Sequence, residues 1–168
     1  MGLLGMDEGT RHILECLEED ARLSHEKIAT LTGLSVDEVN KRIKEMEDSG
    51  VIRRYKTIVD WDLAGDDNVY AIIELKVTLE RNLGYQNLVN RLSKFPEVRS
   101  ARLLSGQYDL SLTVCGKSMK EVAFFVAEKI STLEQVQHTA THFVLKTYKE
   151  DGIFLYEQEH TGRLVVTP

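Results

Sequence analysis

Between Ser24 and Lys56 the chain carries two short helical patterns, a glycine turn between them and a basic exit segment, an order that restricts the fold more than any other stretch. The Ser24 hydroxyl can cap a helix, and Ile28, Ala29 and Leu31 supply the residues that helix would bury. Thr32-Gly33 stops it. Leu34 then plugs the gap between helices, and Ser35 with Glu38 forms a Ser-x-x-Glu capping box that starts a second helix. In that helix Val36, Val39, Ile43 and Met46 recur at spacings of three and four, which gathers them on one buried face. Asp37, Asn40, Lys41 and Lys44 are left on the other, the face a recognition helix turns to a major groove. Ser49-Gly50 ends the helix. Val51 to Lys56 alternates as a strand does, with Arg53, Arg54 and Lys56 placed for phosphates as a wing.

The same pattern also fills small cores that never meet DNA, and charge argues on both sides. Residues 1–62 hold nine Lys/Arg against fourteen Asp/Glu, net minus five, which suits a polyanion poorly. Residues 41–56 alone hold six cations against three anions, net plus three. A local basic patch on an acidic body implies modest, salt-sensitive affinity per copy, made useful by pairing copies on one DNA.

At 168 residues and 42% hydrophobic content the chain can bury one fair core or two small ones, and two are expected. It has no apolar run of transmembrane length and no signal-like start, so a cytoplasmic protein without a membrane partner is expected. Cys16 and Cys115 fall in separate predicted elements, as buried small hydrophobes rather than a disulfide.

The predicted domains are residues 1–62, a linker at 63–68 within the acidic, turn-rich Asp60–Asn68, a second domain at 69–149 and an extension at 150–168. In the second domain Val69, Ala71, Ile73, Leu75, Val77 and Leu79 alternate with Tyr70, Ile72, Glu74, Lys76 and Thr78, the mark of a half-buried strand. Tyr85, Leu88, Val89 and Leu92 predict a helix ended by Pro96, and Val98–Leu104 and Tyr108–Cys115 predict two strands joined by Ser105-Gly106-Gln107. Met119, Val122, Ala123, Val126 and Ile130 predict a second helix, and Val136–Tyr148 a last strand. Strand, helix, two strands, helix, strand is the ferredoxin-like order, so the fold class is α+β. Tyr70, Ile72 and Phe143 are expected on the sheet face without helices, an apolar patch for a second copy to bury.

A winged helix-turn-helix followed by a βαββαβ domain with Leu104-Ser105-Gly106-Gln107-Tyr108-Asp109 at its central hairpin resembles the Lrp/AsnC, or feast/famine, family. Leu34-Ser35, Arg42-Ile43, Gly50-Val51-Ile52 and Tyr55 match its DNA-binding signature, and the likeness covers about residues 7–149. The resemblance implies a regulator that binds double-stranded DNA, dimerises through the sheet domain, assembles further into tetramers or octamers and answers to an amino acid or related effector. By matching position it implies effector contacts from Leu104, Gly106, Tyr108 and Asp109, with Thr139 and Thr141 on the last strand as weaker candidates. A glycine there lets backbone approach a ligand, and Asp109 can accept from an ammonium. Both residues can equally serve the turn alone. Ser35, Asn40, Lys41, Lys44, Arg53, Arg54 and Lys56 are the expected DNA contacts, with Arg42 less so because it flanks the buried face.

The chain departs from the family at Val36-Asp37-Glu38, where small hydroxyl or basic residues are common; carboxylates there repel phosphate. That leaves a second reading, an effector-binding assembly protein whose winged helix has lost DNA. A third is catalysis, since sirohaem decarboxylases share the two-domain plan. Their haem-interacting segments are rich in His and Arg, whereas the corresponding Val98-Arg99-Ser100-Ala101-Arg102 has no His, and His138 and His142 would stand about 13 Å apart on one strand, too far to share an ion. No nucleophile set, phosphate loop or spaced Cys/His cluster is present, so no cofactor or metal is expected. The apolar runs Ile153–Tyr156 and Leu164–Val166 suggest that the extension adds a strand or wraps a partner subunit.

Overall fold

The computed structural model describes residues 6–78 and 84–156. The chain separates into two compact units, Met1–Thr57 and Ile58–Pro168, each with its own apolar core.

The first unit is three helices, α1 (Glu8–Glu19), α2 (His25–Thr32) and α3 (Val36–Asp48), each started by a side-chain cap. Asp7 accepts from the Thr10 N–H, Ser24 from Lys27 and Ser35 from Glu38, so one otherwise orphaned donor is satisfied at each start. Gly33 ends α2 in the left-handed region at φ 73°, where a side chain would be strained. Ile13, Cys16, Ile28, Ala29, Val39, Ile43 and Met46 form the core, with Leu34 packed at its edge as expected.

Three local expectations are corrected here. Leu31 is exposed: Ile28, Ala29 and Thr32 define the inner side of α2, and 100° per residue turns Leu31 away from it. The capping box forms by one arm only, because the Glu38 carboxylate takes the Arg42 Nε–H at 2.7 Å instead of turning back to the Ser35 N–H. The strand expected over Val51–Lys56 does not form. Alternation supplies a strand's side-chain pattern, but a ladder needs a partner, and this segment has none among the described residues. Its path is fixed by the Ile52 N–H on the Met46 carbonyl and by the Tyr55 hydroxyl on Glu47 at 2.8 Å.

The second unit opens with a single-turn helix, α4 (Trp61–Ala64), capped by Asp60. Then follow β1 (Val69–Val77), α5 (Gln86–Leu92), β2 (Val98–Leu103), β3 (Leu110–Gly116), α6 (Met119–Phe125) with a π-helical turn at Val126–Ile130, and β4 (Val136–Phe143). The sheet order is β2-β3-β1-β4 with every pair antiparallel, which is the expected ferredoxin-like arrangement. Ala71, Ile73 and Leu75 of β1 pair with Val114, Leu112 and Leu110 of β3, and all six are buried against Leu88 and Leu92 of α5 and Val122 and Phe125 of α6.

Register corrects the expected face of Phe143. It stands opposite Ala71, so it shares the core side and packs on the core's edge. The open face instead carries Tyr70, Ile72, Glu74 and Lys76 beside His138, Ala140 and His142, with Ser111, Thr113 and Cys115 on the other flank. It is more polar than the alternation implied, and His142 meets Glu74 at 3.1 Å. The last strand ends at Phe143, not Tyr148, and Leu145 beyond it is 88% exposed. Part of the extension makes a small hairpin, β5 (Lys149–Glu150) with β6 (Ile153–Phe154). Leu79 and the Leu164–Val166 run lie outside the described residues.

Candidate nucleic-acid interface and effector hairpin

Burying Val39, Ile43 and Met46 turns Asp37, Asn40, Lys41 and Lys44 outward, as the helical period requires, and all four are exposed. Ser35 lies at the helix start, its oxygen accepting from the Glu38 N–H at 3.2 Å while its own hydrogen remains available. Lys44 leans on Asp48 at 3.1 Å in an exposed i,i+4 pair, which water and salt weaken. Lys41, Arg53, Arg54 and Lys56 are exposed and make no ion pair among the described residues.

Arg42 belongs to the frame rather than the surface. Its guanidinium reaches Asp7 at 2.7 Å, Glu38 at 2.7 Å and the Thr10 hydroxyl at 3.0 Å, joining α3 to the start of α1. Bonds from Thr10, then from Arg42, pull the Asp7 carboxyl down to about 2. The same guanidinium also pairs with Glu38, so of the two carboxylates at the front of α3 only Asp37 has no cation partner among the described contacts. Partial burial, then the bond to Glu47, pushes the Tyr55 phenol up to about 12 and keeps it a donor.

Sequence reasoning did not single out His25. It is the first residue of α2, and its Nδ1 meets Asn40 Oδ1 on α3. Fifteen residues separate the two in the chain, so no local spacing rule connects them.

In the second unit the loop 104–109 joins β2 to β3, and the Leu104 N–H donates to the Asp109 carbonyl at 2.8 Å. Gly106 has φ 157°, a value side chains rarely adopt, although nothing lies within 4 Å of where a Cβ would stand. Glycine therefore serves the backbone there, not clearance. Leu104 is exposed and Tyr108 half-buried. Asp109 is already occupied: one oxygen takes the Val77 N–H at 2.9 Å and the other the Lys76 ammonium at 3.1 Å. These contacts, the Val77 N–H first, hold its carboxyl below the ordinary value.

Thr139 and Thr141 stand opposite Leu75 and Ile73, half-buried on the helix-bearing side of the sheet. Thr139 is thus level with the end of β1 that the hairpin adjoins, but on the strand at the other side of β1, and Thr141 lies two residues deeper. No hydrogen bond joins either threonine to the hairpin among the described residues. Lys76, the partner of Asp109, is on the outer side of its strand as the alternation predicts, and only the fold shows that it meets Asp109.

Among the described residues no group of three or more His, Cys, Asp or Glu is placed to hold a metal, and no helix is long and apolar enough to cross a membrane.

Comparison with known proteins matches both units. Residues 6–53 match the winged helix-turn-helix DNA-binding family and residues 70–154 the Lrp/AsnC ligand binding domain, which reaches into the small terminal hairpin. The chain is 42% identical over 164 residues to the uncharacterized HTH-type transcriptional regulator YugG of Bacillus subtilis, covering 97% of this chain and 99% of that protein. It is 30% identical to the HTH-type transcriptional regulator FL11 of Pyrococcus furiosus, covering 86% of this chain and 93% of FL11. Among solved structures it resembles transcriptional regulator NMB0573 of Neisseria meningitidis in complex with L-Met, with a TM-score of 0.69, 26% identity and coverage of 86% of this chain and 92% of that one.

Proposed function

The chain belongs to the Lrp/AsnC family of DNA-binding transcription regulators controlled by an amino acid or related small effector, and from that premise we propose how its two units divide the work. The α3 outer face enters a major groove, with Asn40, Lys41 and Lys44 near bases or backbone and Ser35, Arg53, Arg54 and Lys56 at phosphates. The observation that carries this reading is the set of four exposed cations, Lys41, Arg53, Arg54 and Lys56, with no internal ion pair among the described residues, on a unit whose sum of charge is negative.

The hairpin 104–109 takes the effector. Asp109 supports this because it already receives one ammonium, that of Lys76, and an amino acid's ammonium can compete for the same oxygen. Leu104 and Tyr108 supply apolar contact, and the L-Met bound by the Neisseria protein makes an amino acid the first class to test. A second copy covers the open sheet face at Tyr70, Ile72 and Ala140, and dimers assemble into larger rings. The chain works in the cytoplasm and catalyses no reaction; its hairpin strand lacks the histidine that a sirohaem decarboxylase would need.

The test is binding of the full chain to DNA of its own upstream region at low and moderate salt, with and without each standard amino acid. Salt-sensitive, sequence-preferring binding altered by one amino acid is expected, with Asp109→Asn losing that response while still binding DNA. No preference over random DNA at any salt would leave the assembly-protein reading in its place.

A further inference from the structure

The bond between His25 and Asn40 runs from the first residue of α2 to the start of the second turn of α3. With Asn40 Oδ1 placed against Nδ1, the bond needs the imidazole tautomer that carries its hydrogen on Nδ1, and in that tautomer it holds the amide oxygen toward His25 and the amide nitrogen away from it. Asn40 retains one lone pair on Oδ1 and both hydrogens on Nδ2. Of the four outward side chains of α3 it is the one that both donates and accepts; Asp37 only accepts, and Lys41 and Lys44 only donate. Adenine offers the matching edge in the major groove, a donor at N6 beside an acceptor at N7. Guanine presents acceptors at both N7 and O6, and a pinned amide meets O6 with its own oxygen. A free amide relieves that repulsion by turning its Nδ2 between O6 and N7 and its oxygen off the base edge.

We propose that His25 is a specificity-determining, positioning residue: by pinning the Asn40 amide it makes α3 select adenine over guanine at one operator position. The proposal rests on the reading that α3 lies in the major groove. Side chains from two helices are needed, so the selection belongs to the helix-turn-helix as a unit rather than to α3 alone.

The experiment selects duplexes from a randomised pool with the full wild-type chain, then measures affinity for each base at each selected position with wild type, Asn40→Ala, His25→Ala and His25→Gln. Wild type is expected to favour adenine over guanine about tenfold at one position. Asn40→Ala should remove that preference, and His25→Ala should reduce it to about twofold with other positions and the melting temperature unchanged. His25→Gln, whose amide N–H can replace the imidazole donor, should restore most of it. An undiminished adenine preference in His25→Ala, or an equal loss of affinity for every sequence, would overturn the proposal while leaving groove reading intact. Failure of the wild type to select any sequence would overturn groove reading, and this inference with it.

Discussion

Among the described residues the sheet unit encloses fourteen buried apolar residues and the helical unit seven, and the smaller one adds an ion-pair network tying its first helix to its third. In the sheet unit the orientation of each element follows from strand register and from helices packed on one face. In the helical unit the rotation of α3 is set partly by apolar contact and partly by Arg42 gripping Asp7, Thr10 and Glu38. The contrast teaches that charges beside the exposed face of α3 need not be free to meet a duplex. Arg42 is held by Asp7 and Glu38 within the frame, so it is not among the cations free to meet a duplex, although the sum over residues 1–62 stays negative.

The contrast breaks most readily at the cores. Ile73→Ala in β1 should cost about 3–4 kcal/mol in urea denaturation, yet leave a cooperative transition for its unit. Ile28→Ala deletes the same atoms from the smaller core and should abolish cooperative protection of the α1–α3 amides in hydrogen exchange. Full protection of α1–α3 in Ile28→Ala would show that core size is the wrong basis for the comparison.

Arg42→Met keeps an apolar stem and removes the fork. It should lower the melting temperature of the helical unit clearly more than Lys44→Ala, whose exposed pair is worth at most about 0.5 kcal/mol. Equal effects would reduce the Arg42 network to surface decoration.

Acid tests the same network from the other side. The Asp7 carboxyl is lowered from 3.8 to about 2, so its contribution is present above the unfolded value and is lost as pH falls from near 3.8 toward 2. Wild type should therefore melt above Asp7→Asn at pH 5, with the gap closing by pH 2. A gap that persisted at pH 2 would mean that charge is not its source. The smallest effect concerns DNA. Asp37→Lys should raise affinity for random duplex severalfold and steepen the salt dependence, whereas Glu38→Gln, at a carboxylate already paired with Arg42, should change it less.

Much of this architecture was legible because the decisive signals are local. Ser24, Gly33 and Ser35 mark helix ends by their own side-chain or backbone preference, and strict alternation from Val69 to Val77 announced β1. What escaped was set by partners distant in the chain. Phe143 lies on the core face because pairing with Ala71 decides it, and the segment after α3 forms no strand because no ladder partner reaches it among the described residues. Glu38 had two donors to choose from, and the nearer rule in sequence lost to a charged one. At the candidate sites residue types were readable, but their present partners were not: Asp109 with Lys76 and Asn40 with His25 are 33 and 15 residues apart.

The segment that carries Arg53, Arg54 and Lys56 is moored at Ile52 and at Tyr55 and has no strand pairing to disturb. A stiff β-ribbon would hold its cations at one fixed pitch, whereas this stretch, if its cations meet phosphates as proposed, would follow a locally wide or narrow groove at no cost in ladder bonds. If α3 reads bases as proposed, operators that differ in shape but share those bases would be served by one protein.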